Sequence, residues 1–239
     1  MFPFLLLIAL LLAGAGAAAA APLSPGTHAG SLKREGRERS YRYHVPAAYP
    51  KRGSAPLMIV LHASRYDSEH FRRMTGGELE RLSEREGFLL VYPEAWKKYW
   101  NDGRKSERIE SLKSNIDDIG FLEALIARAV DAWGADPERV YMVGLTQGGM
   151  MAQRFACERP GTLAGLASVS GPIVKQAAQA CPKRLSAAVL LIHGTKDPFF
   201  RWEDTTIRVG TASFGERLAI PETLRFWSGR LGCRGESKR

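Results

Sequence analysis

Short runs that are apolar at nearly every position alternate along the chain with stretches where apolar residues recur every three or four positions. The runs are residues 57–62 (Leu-Met-Ile-Val-Leu-His), 87–93 (Gly-Phe-Leu-Leu-Val-Tyr-Pro), 139–144, 163–169 and 188–193. A short run without polar alternation suits a strand buried on both faces, as in a parallel sheet. Helical spacing falls at residues 77–85, 118–133 and 149–158, and again at 221–231. Asp117 or Asp118 is placed to cap the second helix by accepting from its free N–H groups. Residues 41–45 (Tyr-Arg-Tyr-His-Val) alternate instead, which predicts an antiparallel edge strand at the start. Strands and helices in this order predict an α/β, mostly parallel, doubly wound sheet.

Composition adds limits. With 239 residues, 45% hydrophobic and 25% charged, the chain has the make-up of a globular protein. No repeat, linker or composition break divides it, so residues 21–239 read as a single domain. The net charge of +9 comes from scattered Lys and Arg rather than a block. That predicts a solvated cationic surface, and no nucleic acid is expected as a partner. Residues 1–21 carry no charged side chain, and an apolar stretch at 4–12 leads into an Ala-rich segment. The apolar part is about half of the ~20 residues that a membrane span needs. Residues 1–20 therefore read as a secretory signal cut near Ala21, with a secreted or periplasmic product and no stable membrane insertion. Export permits one disulfide among Cys157, Cys181 and Cys233, with one thiol left over.

The chemistry is concentrated where a buried strand meets a helix. Residues 139–150 read Arg-Val-Tyr-Met-Val-Gly-Leu-Thr-Gln-Gly-Gly-Met. This has the form of the G-x-S-x-G nucleophile elbow, with Thr146 in the serine's position between Gly144 and Gly148. Upstream, His62, Ala63 and Ser64 end a strand where an oxyanion loop would lie. Downstream, His193-Gly-Thr-Lys-Asp197-Pro follows the last apolar run and offers Asp197 as an acid.

With these residues the chain resembles the secreted polyhydroxybutyrate-depolymerase and feruloyl-esterase group of α/β-hydrolases. Leu61-His62, Trp100-Asn-Asp-Gly-Arg104, Asp117-Asp-Ile-Gly-Phe121, residues 136–145, Gly148-Gly-Met-Met and His193–Pro198 carry the resemblance, which covers nearly all of residues 40–233. It implies an α/β-hydrolase fold and hydrolysis of aryl, cinnamoyl-type or short polyester substrates through an acyl-enzyme, without cofactor or metal. It also implies Thr146 in the nucleophile position, Asp197 as acid, and oxyanion N–H groups from Gln147 and Ser64.

Three departures follow. The nucleophile position holds a β-branched residue in a strained turn. The His-Gly pair has become His62-Ala63, which would strain the loop if that position needs φ > 0. All five histidines (28, 44, 62, 70 and 193) precede Asp197, so the base expected after a final strand is not found. Neither His62 nor His193 is expected to move in, because the resemblance gives both backbone and packing roles. Cys157 and Cys181 are the expected disulfide. Cys233 then looks like half of a second bridge, and the expectation is a scaffold lacking its last strand and histidine loop, with an exposed sheet edge.

Other residues have plainer readings. Trp96, Tyr99 and Trp100 either stack on a substrate or pack a long loop, and Trp100 is the substrate-binding candidate. Residues 102–113 read as a solvated loop, Met150 and Met151 as core. Asp117 and Asp118 read as cap and packing groups, and Ser168 and Ser170 as strand-end residues. The functional expectation is an ester hydrolase of impaired chemistry. The rivals are a catalytically dead binding protein using the same cleft, and a basic surface-binding protein. The oligomeric state stays open.

Overall fold

The computed structural model describes residues 23–50 and 53–234, so the expected leader peptide lies outside the described residues. The chain opens with a hairpin of β1 (Gly26–Arg34) and β2 (Arg37–Val45). Glu35 and Gly36, at φ 46° and 74°, form its two-residue turn, since two successive positive φ values match the twist of the flanking strands. Next come β3 (Ala55–Leu61), α1 (Ser68–Met74), α2 (Glu78–Glu86) and β4 (Leu89–Pro93). A long connection holds α3 (Glu110–Lys113) and leads to α4 (Asp118–Asp131), β5 (Ala135–Leu145), α5 (Gln147–Glu158) and β6 (Gly165–Val169). The chain continues through α6 (Lys175–Ala180), β7 (Ala188–Ile192), a hairpin of β8 (Thr206–Val209) and β9 (Ala212–Glu216), and α7 (Ile220–Leu231).

The main sheet runs β1-β2-β4-β3-β5-β6-β7. β1, β2 and β4 pair antiparallel, and all pairs from β4 to β7 are parallel. The segment at 41–45 is antiparallel as expected but is not the edge, because β1 lies outside it. β1 escapes the hydrophobic pattern because its only large apolar side chain is Leu32. Alternation sorts the central strands onto two cores. Leu57, Ile59 and Leu61 of β3, with Leu89 and Val91 of β4, face the core under α4 and α5. Val60, Leu90 and Tyr92 face a smaller core with Phe71, Leu79 and Leu82.

A buried ion pair ties these layers together. Arg39 of β2 donates to Asp118 at 2.5 Å, with both side chains almost without solvent. Asn101 N–H reaches the other Asp118 oxygen at 2.6 Å, and the Arg39 guanidinium lies 4.2 Å from the Phe121 ring centre. The cap of α4 is Asp117, accepting from Gly120 N–H at 2.8 Å.

β7 is buried on one face only. Val189 and Leu191 pack against the larger core, while Leu190 and Ile192 are 55% and 51% exposed. α1 and α2 pack over β3 and β4 and do not extend to β7, and among the described residues no strand pairs with the outer side of β7. An apolar open edge of this kind is a template for self-association. Leu190→Ser with Ile192→Ser should therefore change unfolding stability by no more than about 1 kcal/mol while lowering light scattering of concentrated protein. Leu191→Ser, facing the core, should cost about 2–4 kcal/mol in urea unfolding.

Candidate active site at the strand-to-helix elbow

β5 ends at Leu145 and α5 begins at Gln147, leaving Thr146 alone at the bend with φ 50° and ψ −111°. Its N–H donates to the Val169 carbonyl at 2.8 Å, and its own carbonyl accepts from Met150 N–H at 3.1 Å. The glycines around it are there for lack of room. A Cβ on Gly144 would lie 2.1 Å from the Gly148 carbonyl carbon, one on Gly148 would lie 2.2 Å from the Leu61 carbonyl oxygen, and one on Gly149 would lie 2.2 Å from Ser168 Oγ. A Cβ on Gly171 would come within 2.5 Å of the Thr146 carbonyl oxygen. Helix, β3 and β6 thus crowd the bend from all sides, and positive φ at a β-branched residue costs about 1–3 kcal/mol. The Thr146 side chain is half-buried.

The loop after β3 is clamped to the first residue of α5. Gln147 Oε1 accepts from Ser64 Oγ at 2.8 Å and from Trp100 N–H at 3.2 Å. Its Nε2 donates to the Trp100 carbonyl at 2.7 Å. His62 is buried behind this loop. Its Nδ1 must carry the proton given to the Ala63 carbonyl at 2.8 Å, because a carbonyl only accepts. Its Nε2 accepts from Ala95 N–H at 3.1 Å. Burial pushes its pKa below the ordinary 6.5 against the pull of the Ala63 carbonyl and Glu94. Both ring nitrogens are committed, so His62 is no proton acceptor for Thr146. Ala63 is not among the residues with positive φ, so the expected strain there is absent.

Asp197 follows β7 at the same end of the sheet. One carboxylate oxygen accepts from Phe199 and Phe200 N–H at 2.9 Å each. Burial raises its pKa, but the Phe200 and Phe199 amides, the Ser170 hydroxyl and His193 outweigh this and hold it below the ordinary value. His193 Nε2 lies 3.7 Å from the carboxylate and donates to the Phe200 carbonyl at 2.8 Å. Ser170, in sequence a strand-end residue, has a further part here. It has φ 49° and donates its N–H to the Ile192 carbonyl at 2.8 Å, so it joins the Thr146 and Asp197 strand ends. The pattern Ser-Gly straight after an apolar run was the available signal.

Other expectations need correction. Trp100 is wholly buried and donates its indole N–H to the His62 carbonyl at 2.9 Å, so it presents no face to a substrate and packs the loop. Residues 102–113 are not a uniformly solvated loop: Asp102, Arg104, Ile109 and Ser111 are buried, and the end of the segment forms α3. Met150 and Met151 are core residues, as expected. Cys157 and Cys181 form the disulfide, closing a loop of sequence separation 24. Cys233 is free and exposed.

The strand order and the Thr146 bend define an α/β-hydrolase fold, with Thr146, Ser170 and Asp197 following neighbouring parallel strands. The profile of the esterase PHB depolymerase family matches residues 39–210, and the chain belongs to that family. It is 32% identical over 189 residues to the putative esterase NocK of Nocardia uniformis subsp. tsuyamanensis, covering 78% of this chain and 53% of that protein. It is 21% identical to feruloyl esterase B of Piromyces equi, covering 81% of this chain and 35% of that protein. The chain spans about half or less of the length of these curated relatives. Among solved structures, native sOPH superposes with a TM-score of 0.58 at 18% identity, covering 82% of this chain and 73% of that one. A thermostable esterase gives 0.56 at 19%, covering 74% and 48%.

Two outcomes follow. Thr146→Gly should raise unfolding stability by about 1 kcal/mol in urea, because released backbone strain exceeds the added entropy of the unfolded chain; a loss of similar size would contradict the strain. For His62 the folded state holds the proton less well than the unfolded one, so its contribution is present above pH 6.5 and is lost as pH falls below it. The urea midpoint should fall between pH 7.5 and about 5.5, less steeply in His62→Gln than in the parent.

Proposed function

We propose that the protein is a secreted carboxylic-ester hydrolase whose acyl-transfer chemistry is impaired in this chain. Thr146 occupies the nucleophile position and Asp197 the acid position. The N–H of Gln147 and the Ser64 loop would take the oxyanion. The observation that carries the reading is the lone positive-φ residue at the β5–α5 junction, with Asp197 at the same sheet end. In the intact reaction the hydroxyl oxygen attacks the ester carbonyl, the alcohol leaves with a proton, and water then releases the acid. Each proton needs a base. Among the described residues no histidine hydrogen-bonds the Thr146 hydroxyl, and His62 and His193 are engaged elsewhere. Loss of a triad base leaves about 10³–10⁴-fold acceleration from binding and the oxyanion hole. Substrates of the aryl, cinnamoyl or short-polyester class suit the family. Export is supported by the apolar, uncharged residues 1–20 and by the disulfide, which belongs to oxidising compartments.

The unattended Thr146 hydroxyl also favours a second reading, a binding protein that retains the cleft without turnover. Purified protein incubated with p-nitrophenyl butyrate and methyl ferulate separates them. Slow release that disappears in Thr146→Ala supports the hydrolase; binding without release supports the second reading. Thr146→Ser alone should improve turnover by less than about tenfold, because the base is still missing. Robust turnover from that single change would overturn the impairment.

A further inference from the structure

At the edge of the sheet opposite β7, a hydroxyl, an imidazole and a carboxylate stand in line. Thr27 of β1 lies across from His44 of β2, and its Oγ1 is 2.9 Å from His44 Nδ1. His44 Nε2 is 2.8 Å from Glu84 Oε1 on α2, and the other Glu84 oxygen accepts from Ala47 N–H at 2.8 Å. That amide, more than any other group, holds the Glu84 carboxyl below the ordinary carboxylate range, so at neutral pH it is ionised and only accepts. Nε2 of a neutral His44 must therefore carry the ring proton, which leaves the Nδ1 lone pair to accept from the Thr27 hydroxyl. His44 is buried, whereas Thr27 is exposed.

The order carboxylate, imidazole, hydroxyl is that of an activated nucleophile, with the two ring nitrogens exchanged relative to the serine-protease triad. The strand register supplies a further group. Arg34 and Arg37 close the two-residue turn between β1 and β2, and in such a hairpin the closing pair is hydrogen-bonded. Pairs alternate in kind along an antiparallel ladder. Thr27, seven residues before Arg34, thus falls on a non-hydrogen-bonded pair with His44. Side chains approach closest at such a pair, and the Thr27 N–H points away from β2 to the open edge, next to its own hydroxyl. Thr27 stands on an exposed edge strand, so the reactivity of the ligand, more than its fit, decides what it takes.

We propose that Thr27 is an acyl-accepting hydroxyl, separate from the elbow, that takes a short acyl group from an activated ester. Thr27 Oγ1 attacks the ester carbonyl carbon, its proton passes to His44 Nδ1, and the Thr27 N–H faces the carbonyl oxygen as that oxygen gains charge. The bond to the leaving oxygen then breaks, the His44 proton goes to that oxygen, and the products are acyl-Thr27 and the free alcohol. The full chain incubated with p-nitrophenyl acetate, then digested and read by mass spectrometry, should carry acetyl on Thr27, and to the same extent in Thr146→Ala. His44→Gln should slow this acetylation about 10²-fold, and Thr27→Ser should keep it, with the melting temperature of each variant measured alongside. Within the parent protein, Ser31 on the same strand is bonded to Glu38 rather than to an imidazole and should carry at least about tenfold less acetyl than Thr27. No acetyl on Thr27 in the parent, or Ser31 labelled as fast as Thr27, overturns the proposal even if the His44 variant does not fold. An unchanged rate in a folded His44→Gln protein overturns it as well. Loss of the Thr27 label in Thr146→Ala would trace the acyl group to the elbow and overturn direct attack by Thr27.

Discussion

The close approach of backbone to backbone around Thr146 is the constraint on which the other features of this molecule depend. β5 can turn directly into α5 only because positions 144, 148, 149 and 171 carry no Cβ to collide with Leu61, Ser168 or the bend itself. That crowding, rather than any attraction, holds Thr146 at a φ that a β-branched residue avoids. It also aims the start of α5, with its free N–H groups, at the space beyond the strand ends.

From this corner the neighbouring parts are positioned in sequence. The first side chain of α5, Gln147, draws in the Ser64 loop and the Trp100 backbone. Behind them His62 fills the gap as a neutral ring with both nitrogens occupied. On the other side, the Thr146 N–H is anchored on Val169, and the next residue, Ser170, meets the Asp197 carboxylate. A hydroxyl, a carboxylate and amide donors therefore gather at one end of the sheet. Among the described residues, His62 and His193, the histidines nearest this end of the sheet, spend their hydrogen bonds elsewhere.

Much of this was legible in the order of residues. The apolar runs at 57–62, 87–93, 139–144, 163–169 and 188–193 reported the parallel strands, because strands covered on both faces need no polar alternation. The glycine bracket around Thr146 reported the bend, because only the smallest residue fits the crossing. What stayed hidden depended on tertiary neighbours. β1 is made largely of small and polar residues, so no apolar pattern marked it or the hairpin it forms with β2. The exposed face of β7 looks, in sequence, like any buried strand; where α1 and α2 reach decides it. Trp100 could have faced substrate or core, and nothing local distinguishes the two. The role of Ser170 depends on Asp197, which lies 27 residues on.

The tight crossing at the elbow is tested most directly by the unfolding free energy of Gly148→Ala. A single methyl there would have to displace the Leu61 backbone, and the account predicts loss of cooperative folding or a cost above about 4 kcal/mol. A variant within about 0.5 kcal/mol of the parent would mean that β3 and α5 do not meet at that point. Thr146 would then not be held at a hydrolase's reactive corner.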